Sequence, residues 1–187
     1  MSTTDNMVKS LTGVYTIDKS HSQIGFNVRH AVVAKVRGTF KEFSGTGFFD
    51  IDEPSNSNLE VNINVASIDT ANVDRDNHLK SDDFFSVSSY PTITLKSTSI
   101  KENGEASYLV TADLTIRDTI KSITFDLEYL GDSVDPYGNQ RIGLEGVFSI
   151  NRIDYGIVWN TALETGGVLV SDKVNIEFEI SAIQAKQ

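Results

Sequence analysis

The amino-acid sequence predicts an all-β fold in which an antiparallel sheet curls into a barrel or a sandwich. Apolar and polar residues alternate with a period of two in many separate runs, which is typical of strands with one buried and one solvated face. Turn-forming residues fall between these runs, and a single stretch has a clear helical composition. Because closure removes exposed sheet edges, eight or more such strands favour a closed architecture.

The composition indicates one globular domain. The chain has 187 residues, of which 39% are hydrophobic and 22% are charged. This length is sufficient for one hydrophobic core but short for two separate domains. The absence of cysteine excludes disulfides, thiolate nucleophiles and cysteine-ligated metal centres. We expect residues 1–13 to be a disordered leader and residues 14–187 to form the barrel domain.

The charge and the N-terminus limit the expected partners and compartment. Acidic residues outnumber basic ones by 26 to 16, which gives a formal net charge of -10. Because such a surface repels the phosphates of nucleic acids and anionic headgroups, we expect no nucleic-acid partner, and a protein that lies on a membrane surface is disfavoured. No run is apolar enough for a signal peptide or a membrane span, so we expect a cytoplasmic protein, or a periplasmic one if a leader has been removed.

The strands are predicted from the alternation itself. Four weaker strands are expected at residues 15–18, 36–43, 47–52 and 92–100. Six stronger ones are "IGFNVRH" from residue 24, "LEVNINV" from 59, "YLVTADLTI" from 108, "ITFDLEY" from 123, "IGLEGVFSI" from 142 and "VNIEFEI" from 174. The alternation predicts inward side chains that include Phe26, Val28, Val110, Phe125, Leu127, Phe148 and Phe178.

Turns and one helix separate the strands. Asn103-Gly104 predicts a two-residue hairpin turn, and residues 135–139, "DPYGN", predict a loop. A helix is expected from Asp74, as its N-cap, to Ser81, because the residues between them are good helix formers. Short helical turns are also expected within residues 31–36 and 161–167.

Several motifs lie in order between Tyr15 and Ile180: "YTIDKSHSQIGFNVRH", "VRGTFKEFSGTGFFDID", "RDNHLKSDDFF", "YPTITLKST", "VTADLTIRD", "NRIDYG" and "VSDKVNIEFEI". Together they resemble the YceI family of lipid-binding, lipocalin-like barrel proteins. The resemblance implies an antiparallel eight-stranded barrel with a short helix over one mouth, an isoprenoid-type lipid such as a polyprenyl or quinone-like molecule inside, and often a homodimer. Two positions depart from the family pattern, Tyr15 in place of tryptophan and Arg117-Asp118 in place of His-Gly.

The polar stretch that begins at Arg75 is the main candidate for catalysis. His78 and Asp76 are two apart on a helix, so their side chains diverge. His78 and Asp82 would face each other, but two ligands fall short of a closed metal site. We therefore expect no catalytic residue, metal or cofactor here, and interpret the stretch as the anchor of a helix that covers a barrel mouth.

In this interpretation the stretch forms a lid. Arg75 and Asp76 are expected to hold the helix through ion pairs, and His78 through a hydrogen bond. Three apolar side chains are expected to turn inward and seal the mouth: Leu79, Phe84 and Phe85.

Arg152 has two interpretations. Its guanidinium suits bidentate binding of a headgroup phosphate or carboxylate. It also suits a structural ion pair with an acid such as Asp76 or Asp154, and we favour this second role.

The residue pattern permits either a filled interior or a cavity, whereas the resemblance implies a cavity. The leading hypothesis is thus a non-enzymatic lipid-binding barrel for storage, transport or sequestration. The alternatives are an enzyme that acts on an isoprenoid-type substrate through His78, Asp82 or Arg152, and an interaction module with a solid core.

Overall fold

The computed structural model describes residues 10–186, which form one antiparallel sheet closed into a barrel. The strands are β1 Gly13–Ile17, β2 Gln23–His30, β3 Ala34–Phe40, β4 Phe43–Phe49, β5 Asn58–Asn64, β6 Ile68–Asp69, β7 Thr92–Glu102, β8 Ser107–Ile116, β9 Thr119–Val134, β10 Gln140–Asn151 and β11 Val170–Gln184. One α-helix, α1, spans Val73–Lys80. Short 3₁₀ turns lie at Lys19–His21, Pro54–Asn56, Val65–Ser67 and Arg152–Tyr155.

These segments make eight barrel staves, which confirms the predicted eight-stranded antiparallel barrel. Three staves are interrupted strands: β1 continues into β2, β3 into β4, and β5 into β6. β1 pairs with β4 while β2 pairs with β3, and β3 then pairs with β6 while β4 pairs with β5. The remaining staves are β7 to β11 in order, and β11 closes the barrel against both β1 and β2.

The two ends of the barrel are built differently. At one end lie the β2–β3 turn, residues 70–91, the β8–β9 turn and the segment from Arg152 to Leu169. We call residues 70–91, which include α1, the lid segment, and this end the lid end. The opposite end carries the loops 50–57, 103–106 and 135–139, and we call it the far end.

Several local predictions need correction. Helix α1 begins two residues earlier than expected: its N-cap is Asn72, whose side chain accepts a hydrogen bond from the Arg75 amide, rather than Asp74. The β7–β8 turn contains four residues, 103–106, instead of the two expected from Asn103-Gly104, because Ala106 adopts a positive φ and the Asn103 amide reaches Ser107 O. The 135–139 loop is confirmed, and Asp135 closes it with hydrogen bonds to Tyr137 and Asn139.

Neither of the two expected helical turns forms a helix. Residues 31–33 make the β2–β3 hairpin turn, and Ala162 bridges Val168 across the other stretch. Of the expected leader, residues 1–9 lie outside the described part of the chain. Residues 10–13 of that stretch make specific contacts, since Gln184 donates to Ser10 O and Gly13 opens β1.

No helix in residues 10–186 is long and apolar enough to cross a membrane.

Candidate functional site: a lidded apolar cavity

The barrel encloses a cavity of about 270 Å³. All eight staves and the lid segment contribute to its lining, and nearly every exposed atom inside it is apolar. The interior is therefore not solid throughout. Nine of the ten predicted apolar residues line the cavity: Phe26, Val28, Leu79, Phe84, Phe85, Phe125, Leu127, Phe148 and Phe178.

Val110 is the exception among the predicted residues. It is fully buried but does not line the cavity. Instead it packs beside Ile100, Ala112, Phe125 and Leu127 in a compact cluster. Alternation identifies the inward face of a strand, but it does not distinguish a side chain that reaches the lumen from one covered by its neighbours.

Two cross-strand pairs of phenylalanine and glycine shape the wall. Phe26 on β2 pairs with Gly38 on β3, and Phe178 on β11 pairs with Gly146 on β10. A Cβ atom at either glycine would clash with the opposing ring, so both rings occupy the space that a side chain would fill. A ring that covers a cross-strand glycine lies against the sheet. The rings of Phe26 and Phe178 therefore leave part of the barrel lumen empty.

A row of aromatic rings continues from this wall. Phe125 stacks on Phe148 with ring centroids 5.1 Å apart, and Phe178 meets Phe125 edge-on at 5.8 Å. Phe26 lies 5.7 Å from Phe40, which meets Phe85 of the lid segment at 6.3 Å. The aromatic lining thus runs from the barrel wall to the lid.

Helix α1 is held by hydrogen bonds to Thr70, the first residue of the lid segment, which directly follows β6. Arg75 Nε donates to Thr70 Oγ1 and its Nη2 donates to Thr70 O, both at 2.8 Å. Thr70 donates to Asp76 Oδ1 from both its amide and its hydroxyl. Arg75 and Asp76 therefore anchor the helix as expected, but through a shared threonine rather than through the predicted ion pairs.

His78 lies within the lid and contacts both polar and aromatic groups. Its Nε2 is 2.8 Å from Asp83 Oδ2, so the partner is Asp83 rather than Asp82. Its ring meets Phe84 at 5.1 Å and Trp159 at 4.8 Å, in both cases edge-on. Trp159 joins the lid to the segment after β10. It is not among the predicted site residues, although it is the single tryptophan in the chain.

Arg152 lies at the lid end of the cavity and is 4% exposed. Its guanidinium donates to four main-chain carbonyl oxygens at 2.8–3.2 Å, those of Ile157, Trp159, Val170 and Ser171. The predicted acidic partners, Asp76 and Asp154, are incorrect: the nearby carboxylate is that of Asp172, 3.5 Å from Nη2 and 58% exposed. Burial lowers the pKa of Arg152 from its ordinary value, and Asp172 opposes this shift.

These contacts support the structural role of Arg152 over the headgroup role, with carbonyl oxygens in place of the expected carboxylate. No sequence motif identifies carbonyl partners, so this arrangement could not be predicted.

Arg117, one of the two departures from the family pattern, crosses the lid end. It adopts a positive φ of 55°, and its Nη1 donates to Gly156 O at 2.9 Å. Its guanidinium also lies over the ring of Tyr90, 5.6 Å from the centroid. Arg117 thereby links the lid segment to Gly156, which directly follows the 3₁₀ turn that contains Arg152.

The far end is closed by aromatic side chains from the strands themselves. Phe49 meets Tyr15 and Tyr108 edge-on and stacks with Tyr129 at 6.3 Å. Tyr15 donates to Leu11 O and Tyr129 donates to Asp132. Burial, the largest cause, raises the pKa of all three tyrosines above the ordinary value.

The candidate catalytic side chains each have a separate partner. His78 contacts Asp83, Asp82 accepts from Ser86 Oγ at 2.6 Å, and Arg152 binds carbonyl groups. Within residues 10–186, no three His, Asp or Glu side chains form a group that could hold a metal ion.

The fold and cavity define a class of protein: a closed eight-stranded antiparallel barrel with a lidded, apolar interior. The family profile of the YceI-like domain matches residues 15–182. A UPF0312 protein of Staphylococcus aureus (strain N315) is 40% identical over 169 residues, which cover 90% of this chain and 95% of that protein. The chain therefore belongs to the YceI-like family.

Solved structures agree with this assignment. The Campylobacter jejuni YCEI protein has a TM-score of 0.74 at 32% identity, with 91% of this chain and 97% of that one covered. A polyisoprenoid binding domain from Saccharophagus degradans has a TM-score of 0.65 at 16% identity, with 91% and 98% covered. At this low identity, the second likeness shows the shared fold alone.

Proposed function

We propose that the protein binds a long apolar lipid of the isoprenoid type, such as a polyprenyl or quinone-like molecule, in its cavity for storage, transport or sequestration. The observation that carries this proposal is the continuous apolar lining contributed by every stave and by the lid. Concave, mostly apolar and largely preformed cavities are typical of small-molecule sites. Membership of the YceI-like family and the polyisoprenoid binding domain among the similar folds add support.

The shape of the cavity favours a chain over a compact ligand. On β10 the lining runs from Ile142 to Ile150, nine residues whose eight steps span roughly 26 Å at about 3.3 Å per residue. With strands tilted by about 40°, this corresponds to roughly 20 Å along the barrel axis. A volume of about 270 Å³ spread over this length is narrow, and it suits one extended chain.

Burial of methylene and methyl groups would supply the affinity. Each buried CH₂ contributes about 0.8 kcal/mol, and observed affinity saturates far below the sum for a long chain because ordering costs oppose it. The lining offers few polar groups, so it would select by length and width more than by hydrogen bonding. Leu79, Phe84 and Phe85 then cover the bound chain.

Native mass spectrometry of freshly purified protein tests the proposal, followed by titration with a fluorescent prenyl analogue. We expect a lipid-sized adduct or saturable uptake of the analogue. An apoprotein mass without uptake would overturn the proposal and favour an interaction module. Conversion of the bound lipid during incubation would favour the enzyme alternative, and the variants His78→Ala and Asp82→Asn would then identify the residues responsible.

Two expectations stay predictions. The homodimer implied by the family resemblance is checked by analytical ultracentrifugation, and the compartment is checked by cell fractionation.

A further inference from the structure

Positive charge is concentrated in one part of this acidic chain. Residues 19–41 contain five Lys or Arg residues and no Asp or Glu, although the formal net charge of the whole chain is -10. This stretch covers β2, the β2–β3 turn and β3. The net charge therefore does not describe the surface that this hairpin presents.

The basic side chains share one face of the hairpin. Arg29 pairs with Lys35, and Arg37 pairs with Asn27, across β2 and β3. All three basic residues are exposed. Val28, the neighbour of Arg29, lines the cavity, so alternation places the three charges on the outer face of the barrel.

The tip of this hairpin is apolar and exposed. Val32 and Val33 are 71% and 85% exposed. Ala31 and Val32 have positive φ values of 50° and 66°, and a β-branched residue in this region is a rare, strained case. The backbone thus holds two adjacent valines out in solvent at a local conformational cost.

The tip borders the lid end of the cavity. The Ala31 amide donates to Leu169 O at 2.8 Å, and His30 pairs with Val170 of β11. Val28 and Val170 both line the cavity. The apolar tip and the basic face therefore lie beside the mouth that the lid segment covers.

On the side of the barrel that carries this hairpin, most of the negative charge lies farther from the mouth. On the outer face of β11, Lys173 near the lid end is followed by Glu177 and Glu179, and Glu179 pairs with Glu145 on β10. Other acids do lie at the lid end: Asp74, Asp76, Asp82 and Asp83 in the lid, Asp118 in the β8–β9 turn, Asp154 and Glu164 in the stretch after β10, and Asp172 at the start of β11. The β10–β11–β2–β3 side of the barrel is thus basic at its mouth and acidic toward its middle.

We infer that the β2–β3 hairpin docks the lid end onto a bilayer that contains anionic lipids. Val32 and Val33 enter the interfacial region, while Arg29, Lys35 and Arg37 contact the headgroups, the combination that binds peripheral segments to membranes. Acidic carboxylates farther along the barrel orient the mouth toward the bilayer. This inference rests on the proposed function, since a bilayer is where a long apolar lipid would be collected or delivered.

Vesicle co-sedimentation tests the inference. The wild-type protein should bind vesicles of phosphatidylcholine with about 30% phosphatidylglycerol more tightly than pure phosphatidylcholine vesicles, and less tightly as salt is raised. The triple variant Arg29→Gln, Lys35→Gln, Arg37→Gln should lower the partition coefficient on the order of 100-fold. The double variant Val32→Ser, Val33→Ser should lower it roughly tenfold on both kinds of vesicle.

Matched controls separate the hairpin from general surface effects. The triple variant Lys19→Gln, Lys96→Gln, Lys101→Gln removes the same charge from exposed positions away from this mouth, and it should bind almost as the wild type does. The double variant Val134→Ser, Tyr137→Ser removes exposed apolar side chains at the far end, and it should have no effect.

Uptake of a soluble prenyl analogue in the absence of vesicles tests the carrier function separately from the docking inference. If the wild type takes up the analogue but binds neutral and anionic vesicles equally, or if the hairpin and control triple variants behave alike, the docking inference is overturned and the carrier function stands. If the wild type binds anionic vesicles through the hairpin but takes up no analogue, the carrier function fails. If the tip variants convert a dimer into monomers, the hairpin is an interface between copies and the docking inference is overturned.

Discussion

The two ends of the barrel are closed by different kinds of interaction. At the far end, strand residues close the lumen: Tyr15, Phe49 and Tyr129 pack together, and Arg141 bridges Asp18 and Asp135 at 2.7 and 2.8 Å. At the lid end, the closure is a separate segment held through Thr70 by Arg75 and Asp76. Opening the far end would disrupt strand pairing, whereas opening the lid end would separate side-chain contacts, the Thr70 hydrogen bonds and the packing of Phe84 and Phe85, while the strand pairing stays intact. Because of this difference, we expect a ligand of the proposed kind to pass through the lid end.

The largest expected effect is at the support beneath the lid. Arg152→Met should lower the free energy of unfolding by about 3 to 5 kcal/mol, because four carbonyl groups lose their buried donor. Urea denaturation measures this loss. Asp172→Asn is the matched control: its exposed contact with Arg152 should contribute less than about 1 kcal/mol. If both variants lose only a small and similar amount of unfolding free energy, and Arg152→Met binds ligand more weakly, the result would favour the headgroup role of Arg152.

The next effect concerns the wall between the two ends. Gly146→Ala should push the Phe178 ring into the lumen, with a loss of about 1 to 3 kcal/mol in stability from overpacking and weaker uptake of long prenyl analogues. Gly143→Ala on the same strand is the control, because its Cβ would meet Leu130 at 3.3 Å, and Leu130 is exposed on the outer face. Equal uptake by the two variants would show that the ring does not limit the cavity.

A smaller effect is expected at the lid anchor. Arg75→Ala removes two hydrogen bonds to Thr70 and should cost about 1 to 2 kcal/mol, with transfer of a fluorescent prenyl analogue to vesicles accelerated roughly tenfold. Asn77→Ala changes an exposed residue of the same helix and should leave the rate unchanged. Unchanged release from Arg75→Ala despite a lower melting temperature would assign the anchor a purely structural role.

The smallest expected effect is the acid response of the far end. Hydrogen bonds from Arg141, the largest cause, and from His21 lower the pKa of Asp18 from 3.8 to about 2. Since this pKa is lower in the folded protein, the associated stability is present above about pH 4 and is lost as the pH falls toward 2. Thermal melts between these values should show a shallower pH dependence for Asp18→Asn than for the wild type. Identical slopes would mean that the Asp18–Arg141 pair does not contribute.

The sequence predicts the barrel better than the site, because strands follow from local residue patterns whereas the site depends on contacts between residues that are distant in sequence. Alternation is local, so runs such as "ITFDLEY" identify strands and their inward faces directly. The pairing of Phe178 with Gly146 depends on register between distant strands. The partners of Arg152 are carbonyl groups, which carry no side-chain pattern. The hydrogen bond between Thr70 and Asp76 could have been predicted from the sequence, because Thr70 lies just before the start of helix α1 and Asp76 lies in its first turn.

The double role of β11 also has a consequence for how the chain folds. One edge of this strand pairs with β10, and the other pairs with β2 and then β1, so that Tyr15 faces Gln184. β11 follows every other strand along the chain, and contacts of such long sequence separation form slowly. Until this strand is made, the apolar lining of the sheet has no closed lumen and stays open to water during translation. A nascent chain in that state exposes an apolar sheet face and unpaired strand edges. A holding chaperone or an early-bound lipid would protect it from aggregation.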